Sequence, residues 1–271
     1  MSYTGYLKLE SHKVKGKTVV YNTYHDGAFK VARPIYMEEH TPTIYLLHVG
    51  GGYVGGDRYK ACITAEEGAH LCLTTQAATK VYRTPNAPVV QETELLLKKG
   101  AVIEYLPDPL ILYEDAQFIQ ETTVHMEEKA TFFISDVITP GWSPNGEIFK
   151  YDSLRSKLKV YQNNQLMVFD HLFLSPHEDI HAIMKMEGYT HFGSFLAVAE
   201  GIIDSVIDEL YDEVISEEQH GYIGISKLAI NGCAIRILGN DTKTLESIIN
   251  RCFQFLRKRL LGLEVVHLRK Y

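Results

Sequence analysis

The chain has 271 residues, 45% hydrophobic and 23% charged, an ordinary balance for a globular protein with enough apolar residues to bury a substantial core. Its formal net charge of -7 argues against a nucleic-acid partner, and no apolar run reaches the roughly 20 residues that span a bilayer. The opening MSYTGYLKLESHKVKGK lacks the hydrophobic centre of a secretion signal, so the expectation is a cytoplasmic protein folded as a single domain over residues 1–271.

In chain order, the first distinctive stretch is Gly50-Gly51-Gly52-Tyr53-Val54-Gly55-Gly56-Asp57. It resembles a phosphate-cradling loop, but it lacks the Gly-Lys-Ser/Thr ending and no helical stripe follows it. It reads as a sharp turn whose glycines take positive φ or permit close packing. Three later stretches overlay one another: YKACITAEEGAHLCLTT from Tyr59, QETELLLKKGAVIEYLP from Gln91 and QETTVHMEEKATFFISD from Gln120. Each holds a strand-like run, a charged tight turn, a small residue (Ala69, Ala101, Ala130) and a second strand-like run. A period of about 30 residues signals stacked repeats that bury apolar faces against their neighbours. This pattern predicts a β-solenoid-like stack; three ordinary hairpins of a sandwich would share the same alternation.

Two carboxylates interrupt apolar runs. Asp136 lies within Phe132-Phe133-Ile134-Ser135-Asp136-Val137-Ile138, and Asp170 within Val168-Phe169-Asp170-His171-Leu172. A buried carboxylate needs a cation, hydrogen-bond donors or water, so these positions point to a salt bridge or a hydrated interior passage unless alternation turns them to solvent. His177-Glu178-Asp179-Ile180-His181 is a literal HExxH. On a helix it would set two imidazoles one turn apart for zinc, with the glutamate as general base; Ser175 and Pro176 are placed to start such a helix, and Glu200 is at a plausible distance for a third ligand. The plain alternative is a short surface turn. His171, His177, His181 and His191 fall within a short span of a chain with twelve histidines; imidazole suits nickel, while exposed or core-satisfied roles need no metal.

Helical signals are confined to the last third. Ile202, Ile203, Val206, Ile207, Leu210, Tyr211 and Val214 recur at three-to-four spacing and predict a helix ended by Gly221. Leu245, Ile248, Ile249, Cys252, Phe253, Leu256 and Leu260 predict a second, capped by Asn240-Asp241-Thr242, with Arg257, Lys258 and Arg259 suited to the negative end of its dipole. Residues 222–225 and 234–238 read as strands between them. Cys62, Cys72, Cys233 and Cys252 form no CxxC pair and read as reduced, mostly buried thiols.

The order of parts over residues 45–83, from the glycine-crowded turn ending in Asp57 to Thr74-Thr75-Gln76-Ala77-Ala78-Thr79-Lys80-Val81-Tyr82, resembles the UreD/UreH urease accessory proteins. The resemblance continues through Glu104-Tyr105-Leu106-Pro107-Asp108-Pro109, Gly146-Glu147-Ile148-Phe149, Gly188-Tyr189-Thr190-His191, Phe255-Leu256-Arg257 and Leu260-Leu261-Gly262, nearly the whole chain. It implies a mainly β fold, a solenoid-like stack of strands with two α-helices in the C-terminal third. It further implies a non-enzymatic scaffold in the incorporation of nickel into urease, with a UreF-type adaptor, a UreG-type GTPase and apo-urease as partners. Nickel would be transient cargo, with no tightly bound cofactor. The family is thought to pass nickel along a water-filled passage, whose polar lining corresponds to Asp57, Thr79, Asp136 and Asp170. Thr79 stands for a hydroxyl often supplied by serine, and Asp170 for a carboxylate often supplied by glutamate. Gly141-Trp142 departs from the usual Gly-Arg and puts any role of that positive charge in doubt. The alternatives are a zinc-dependent hydrolase built on His177, Glu178 and His181, and a carbohydrate-binding solenoid with an exposed aromatic ladder drawn from Tyr45, Tyr53, Tyr59, Tyr82 and Tyr105.

Overall fold

Parallel pairing between successive repeats, rather than hairpin pairing within each, organises the chain. A computed structural model describes residues 3–182, 185–215, 221–264, 266 and 268. It opens with β1 (Gly5–Val14), β2 (Lys17–Gly27), β3 (Phe29–Val31) and β4 (Thr43–His48). The first repeat becomes β5 (Arg58–Ala65), β6 (His70–Thr75) and β7 (Thr79–Val81); the second becomes β8 (Val89–Leu97), β9 (Val102–Leu106) and β10 (Leu110–Leu112). The third becomes β11 (Gln117–Met126) and β12 (Thr131–Ile138), followed by β13 (Ser153–Gln162), β14 (Gln165–Leu174) and β15 (His191–Val198). The chain closes with α1 (Asp204–Val214), β16 (Gly221–Lys227), β17 (Gly232–Gly239) and α2 (Thr242–Leu261).

The two strands of each repeat separate into different sheets. The first sheet runs β14-β13-β11-β8-β5-β1-β2, and the second runs β16-β17-β15-β12-β9-β6-β4-β3, with β10 beside β12 and β7. Neighbouring rungs pair in parallel, which places Tyr59 opposite Gln91 and Gln91 opposite Gln120, the first residues of the three overlaid stretches. At the turns Val102 N donates to Ala69 O and Thr131 N to Ala101 O, each at 2.8 Å, and Ala69, Ala101 and Ala130 are buried. The stack is therefore solenoid-like, and the sandwich of hairpins is excluded by the parallel register. Antiparallel β2 and β14 close the first sheet's two ends, where an open parallel ladder would leave backbone groups unpaired.

Because a parallel register stacks each position on its counterpart, side chains form rows across the rungs. Leu9, Ile63, Leu95, Val124 and Val160 make one such row in the first sheet, and they pack on Leu71, Ile103, Phe132 and Leu196 from the second. Val89, Phe118 and Leu154 make another, in a second cluster with Leu110, Leu112 and Ile138. Between these two apolar clusters the rows are polar: Gln91, Gln120 and Ser156, and beside them Thr93 and Thr122.

The outer face of the second sheet is covered by the helices. Phe133, Phe195, Cys233, Ile235 and Ile237 meet Val206, Leu210, Leu245, Ile248, Cys252 and Phe253, the two predicted stripes. Asp241 caps α2 by accepting from Thr244 N at 2.8 Å, and Gly262 ends it at φ 65°, the left-handed cap conformation that glycine adopts without the steric cost of a Cβ. α1 stops at Val214 rather than at Gly221. Gly221 instead opens β16, where a Cβ would lie 2.3 Å from Leu238 O. No helix among the described residues is long and apolar enough to cross a membrane.

Arg257 does not sit at the exposed end of the helix dipole. Its side chain turns inward and is fully buried, donating from Nε to Glu104 Oε1 at 2.9 Å, and also to Glu38 and to the carbonyl of Glu264. His70 Nε2 lies 3.2 Å from the same Glu104 oxygen. Burial would push the Glu104 carboxyl up, but His70 and Arg257 outweigh it and hold it below its ordinary value. Its contribution to stability is therefore present above pH 4.5 and lost as pH falls through the lowered folded value. Arg257→Met leaves Glu104 buried without its cation and is expected to lower unfolding free energy by about 3–5 kcal/mol, read as a shift in the urea midpoint at pH 7; an unchanged midpoint would show that the pair does not anchor α2.

Candidate functional site

The polar rows inside the stack border a cavity of about 260 Å³. One wall is the first sheet, through Ala61, Gln91, Thr93, Gln120 and Thr122; the facing wall is the second, through Leu46, His48, Tyr105, Ile134 and Asp136. The corner carrying Thr75 to Lys80 and the turn at Gly51 and Gly52 complete it. Gly51, Gln76 and Ala77 are exposed at its rim, whereas Tyr105 is buried at its floor. Thr75 Oγ1 donates to Asp108 Oδ2 at 2.7 Å and accepts from Asp108 N at 2.7 Å, which fixes the corner that presents Thr79.

Asp136 reaches this space because β12 alternates. Phe132, Ile134 and Ile138 face the stack interior with it, while Phe133 and Val137 face the helices. Gln120 Nε2 donates to Asp136 Oδ2 and to Ser156 Oγ, both at 3.1 Å, so one amide bridges the sheets. Burial pushes the Asp136 carboxyl up to about 6; Gln120 and Arg236 pull against this and Asp170 adds to it. The carboxylate lies deep in the molecule yet is only part-shielded by area, since it opens onto the cavity.

Of the four positions assigned by resemblance, Thr79 and Asp136 line the cavity, and Asp57 and Asp170 do not. Asp170 shares the inward face of β14 with Val168, Leu172 and Leu174. It accepts from Arg236 NH2 at 2.5 Å, a half-exposed ion pair that joins the two sheets at the end of the stack. Asp136, Ser194 and Arg236 lie opposite one another across β12, β15 and β17, so the Asp170–Arg236 pair stands two strands away from Asp136 and acts on it only through its charges. Asp57 is held by the glycine turn. Its Oδ2 accepts from Val54 N at 2.8 Å and from Tyr59 OH at 2.8 Å, and its Oδ1 accepts from Thr4 Oγ1 at 3.0 Å. Gly51 and Gly56 take φ 78° and 85° there, and a Cβ on Gly52 would come 2.6 Å from Tyr82 Cε2.

Sequence reading missed His48, Gln91, Gln120 and Arg236. For the glutamines a signal existed: each is an even number of residues from Leu95 or Val124, so the period of two puts it on the inward face. For His48 and Arg236 no sequence signal existed, because their partners come from other elements.

The HExxH segment is a series of turns rather than a helix, so its imidazoles are not one helical turn apart. His177 Nε2 lies 3.4 Å from Asp152 Oδ1, and His181 packs edge-on to Phe149 at 5.4 Å. Asp179 has φ 27°, outside helical backbone. His191 pairs through Nδ1 with Thr190 Oγ1 at 2.8 Å, and among the described residues no group of three or more His, Cys, Asp or Glu is arranged to hold a metal. The aromatic ladder also fails as drawn, since Tyr45, Tyr53, Tyr59 and Tyr105 are buried. Trp142, at the position of the expected arginine, meets Tyr113 at a tilt with ring centroids 4.8 Å apart, and Tyr113 meets Tyr82 edge-on at 4.7 Å.

Comparison with known proteins covers nearly the whole chain. The family described as UreD urease accessory protein matches residues 3–270. The chain is 51% identical to the urease accessory protein UreD of Bacillus sp. (strain TB-90) over 271 residues, 100% of both chains. It is 38% identical to that of Lachnoclostridium phytofermentans, covering 100% of this chain and 99% of the relative. It is likewise 38% identical to that of Staphylococcus epidermidis, covering 99% and 98%. Since these matches run unbroken through strand stack and helices alike, the chain belongs to the UreD urease accessory protein family.

Proposed function

We propose that this chain is a non-catalytic, cytoplasmic urease maturation factor, a scaffold and conduit through which nickel passes between a UreF/UreG-type GTPase complex and apo-urease. Family membership supports the role in maturation. The observation that carries the conduit is the cavity between two apolar clusters, with a carboxylate, hydroxyls and side-chain amides on its walls. A protein interior closes such a space with apolar side chains unless water or an ion is to occupy it. At roughly 30 Å³ of liquid per water, about 260 Å³ accommodates an ion with part of its water shell. Its oxygen ligands are hard and exchangeable, and none of the lining residues is a cysteine, so the cation is held loosely and passed on. Thr79 and Asp136 then line the path. Asp170 flanks it, and a cation arriving there competes with Arg236.

The partner surface follows from exposed apolar groups on the outer strand. Leu166, Phe169 and Phe173 of β14 are exposed, as is Tyr222 of β16, and a partner that covers them would bury apolar surface now left to water. The isolated chain is expected to be less soluble than the chain co-expressed with a UreF-type partner; equal solubility and a stable monomer that binds no partner would oppose the adaptor role.

Asp136→Leu is expected to lower nickel per urease several-fold in cells while pull-down of the partner is retained. Unchanged nickel would remove Asp136 from the path, and loss of partner binding would make the aspartate structural. Because the folded Asp136 carboxyl is raised from 3.8 to about 6, the neutral acid favours folding. That contribution is complete below pH 3.8 and lost as pH rises through about 6. Asp136→Asn is therefore expected to raise thermal stability at pH 7.5, by no more than about 3 kcal/mol, and to match the wild type near pH 4. A variant no more stable than the wild type at pH 7.5 would mean that the charge costs the fold nothing.

A further inference from the structure

The conduit reading leaves Asp57 and His48 without a part, since Asp57 does not line the cavity and His48, which does, was assigned no role. A chain of two hydrogen bonds connects them. Tyr59 OH donates to Asp57 Oδ2 at 2.8 Å, and the same phenol oxygen is 2.9 Å from His48 Nε2. A phenol has one proton. Tyr59 commits it to a carboxylate oxygen that also accepts from Val54 N at 2.8 Å, so toward His48 the phenol oxygen can only accept. Nε2 must then carry the hydrogen. In the neutral imidazole this leaves Nδ1 with its lone pair, and among the described residues no hydrogen bond reaches Nδ1. Burial pushes the His48 imidazole below its ordinary value, outweighing the pull of Asp57, which agrees with a neutral ring.

The ring is also held in place. It meets Tyr53 edge-to-face at 4.6 Å and Tyr59 at 5.1 Å, with Phe29 at 6.5 Å. Tyr53 and Tyr59 are themselves stacked at 4.1 Å, and Tyr53 OH donates to Gln91 Oε1 at 2.8 Å. His48 is thus fixed in tautomer by Tyr59 and Asp57, which do not line the cavity, and in orientation by the rings of Tyr53 and Phe29, which do; a hydrogen-bonded partner of this kind is how outer-shell groups prepare a histidine for a metal.

We propose that Asp57, acting through Tyr59, holds His48 as its Nε2–H tautomer and that Nδ1 serves as a nitrogen ligand for a divalent cation in the cavity. The proposal rests on the conduit reading and deepens it: Asp57 becomes a positioning residue, and the passing cation meets the imidazole at a point of the cavity wall three strands away from Asp136. A single nitrogen among oxygen donors prefers nickel or zinc over magnesium or calcium, yet does not close a coordination shell.

The test is a long-range proton–nitrogen correlation spectrum of the full-length chain labelled with ¹⁵N-histidine, with His48→Gln identifying the His48 resonances. Expected are the neutral Nε2–H pattern in the wild type and, on addition of zinc as a diamagnetic divalent ion, a selective change at His48 Nδ1. Tyr59→Phe and Asp57→Asn are each expected to release the tautomer into a mixture and to weaken zinc binding roughly tenfold or more, with backbone amide spectra reporting that the fold is kept. An Nδ1–H or doubly protonated His48 in the wild type, which needs no variant, overturns the proposal. If zinc perturbs the amides of Thr79 and Asp136 but leaves His48 unchanged, the proposal fails and the conduit stands; if zinc perturbs no cavity resonance, both fail.

Discussion

The parallel register between rungs is the constraint on which the rest of the structure depends. Since Tyr59, Gln91 and Gln120 are stacked on one another, the chemistry chosen at a position in one rung lies beside the chemistry of the same position in the next. Aliphatic rows become continuous apolar layers, and two polar rows between them become a continuous polar layer. A single glutamine in an isolated hairpin would find a solvent edge, whereas in a stack it lies beside another glutamine with a sheet on the far side. The cavity is therefore a consequence of repetition, and its walls come from rungs far apart in sequence.

Charge inside this frame is of two kinds. The Arg257–Glu104 pair is sealed between α2 and the second sheet, with Glu38 on its flank, and its geometry supplies the compensation that a buried ion pair needs. Among the described residues no cation is in direct contact with Asp136; it accepts from Gln120 and stands two strands away from Arg236. Burial, only partly offset by Gln120 and Arg236, holds its carboxyl above the ordinary value. The proposed passage gives a functional reason for an under-compensated acid beside a cavity.

The glycine-rich turn illustrates how an apparent ligand loop becomes an architectural one. Its backbone wraps Asp57 instead of an anion, and Asp57 in turn fixes Tyr59, which touches His48 on the cavity wall. The turn thereby acts on the cavity at one remove. HExxH fails for the converse reason: three fixed letters say nothing of backbone, and the turns that carry them point His177 and His181 at Asp152 and Phe149.

The sequence by itself determined the elements whose signal is local. Overlay of the three repeats located the paired strands and the buried alanines, because turn chemistry and period-two alternation are written in adjacent residues. The apolar stripes and the Asp241 cap located α2 for the same reason. Local signal also explains the errors: Gly221 read as a helix stop because glycine is permissive in both settings, and Arg257 read as a dipole partner because its burial depends on Glu104 and Glu38, 153 and 219 residues distant. Only the tertiary structure decided that the repeats pair in parallel, that Asp136 and Thr79 share one cavity while Asp57 and Asp170 stand beside it, and that Tyr59 relays Asp57 to His48. These are contacts between residues from different rungs and sheets, and their geometry exists only once backbone pairing has set the register.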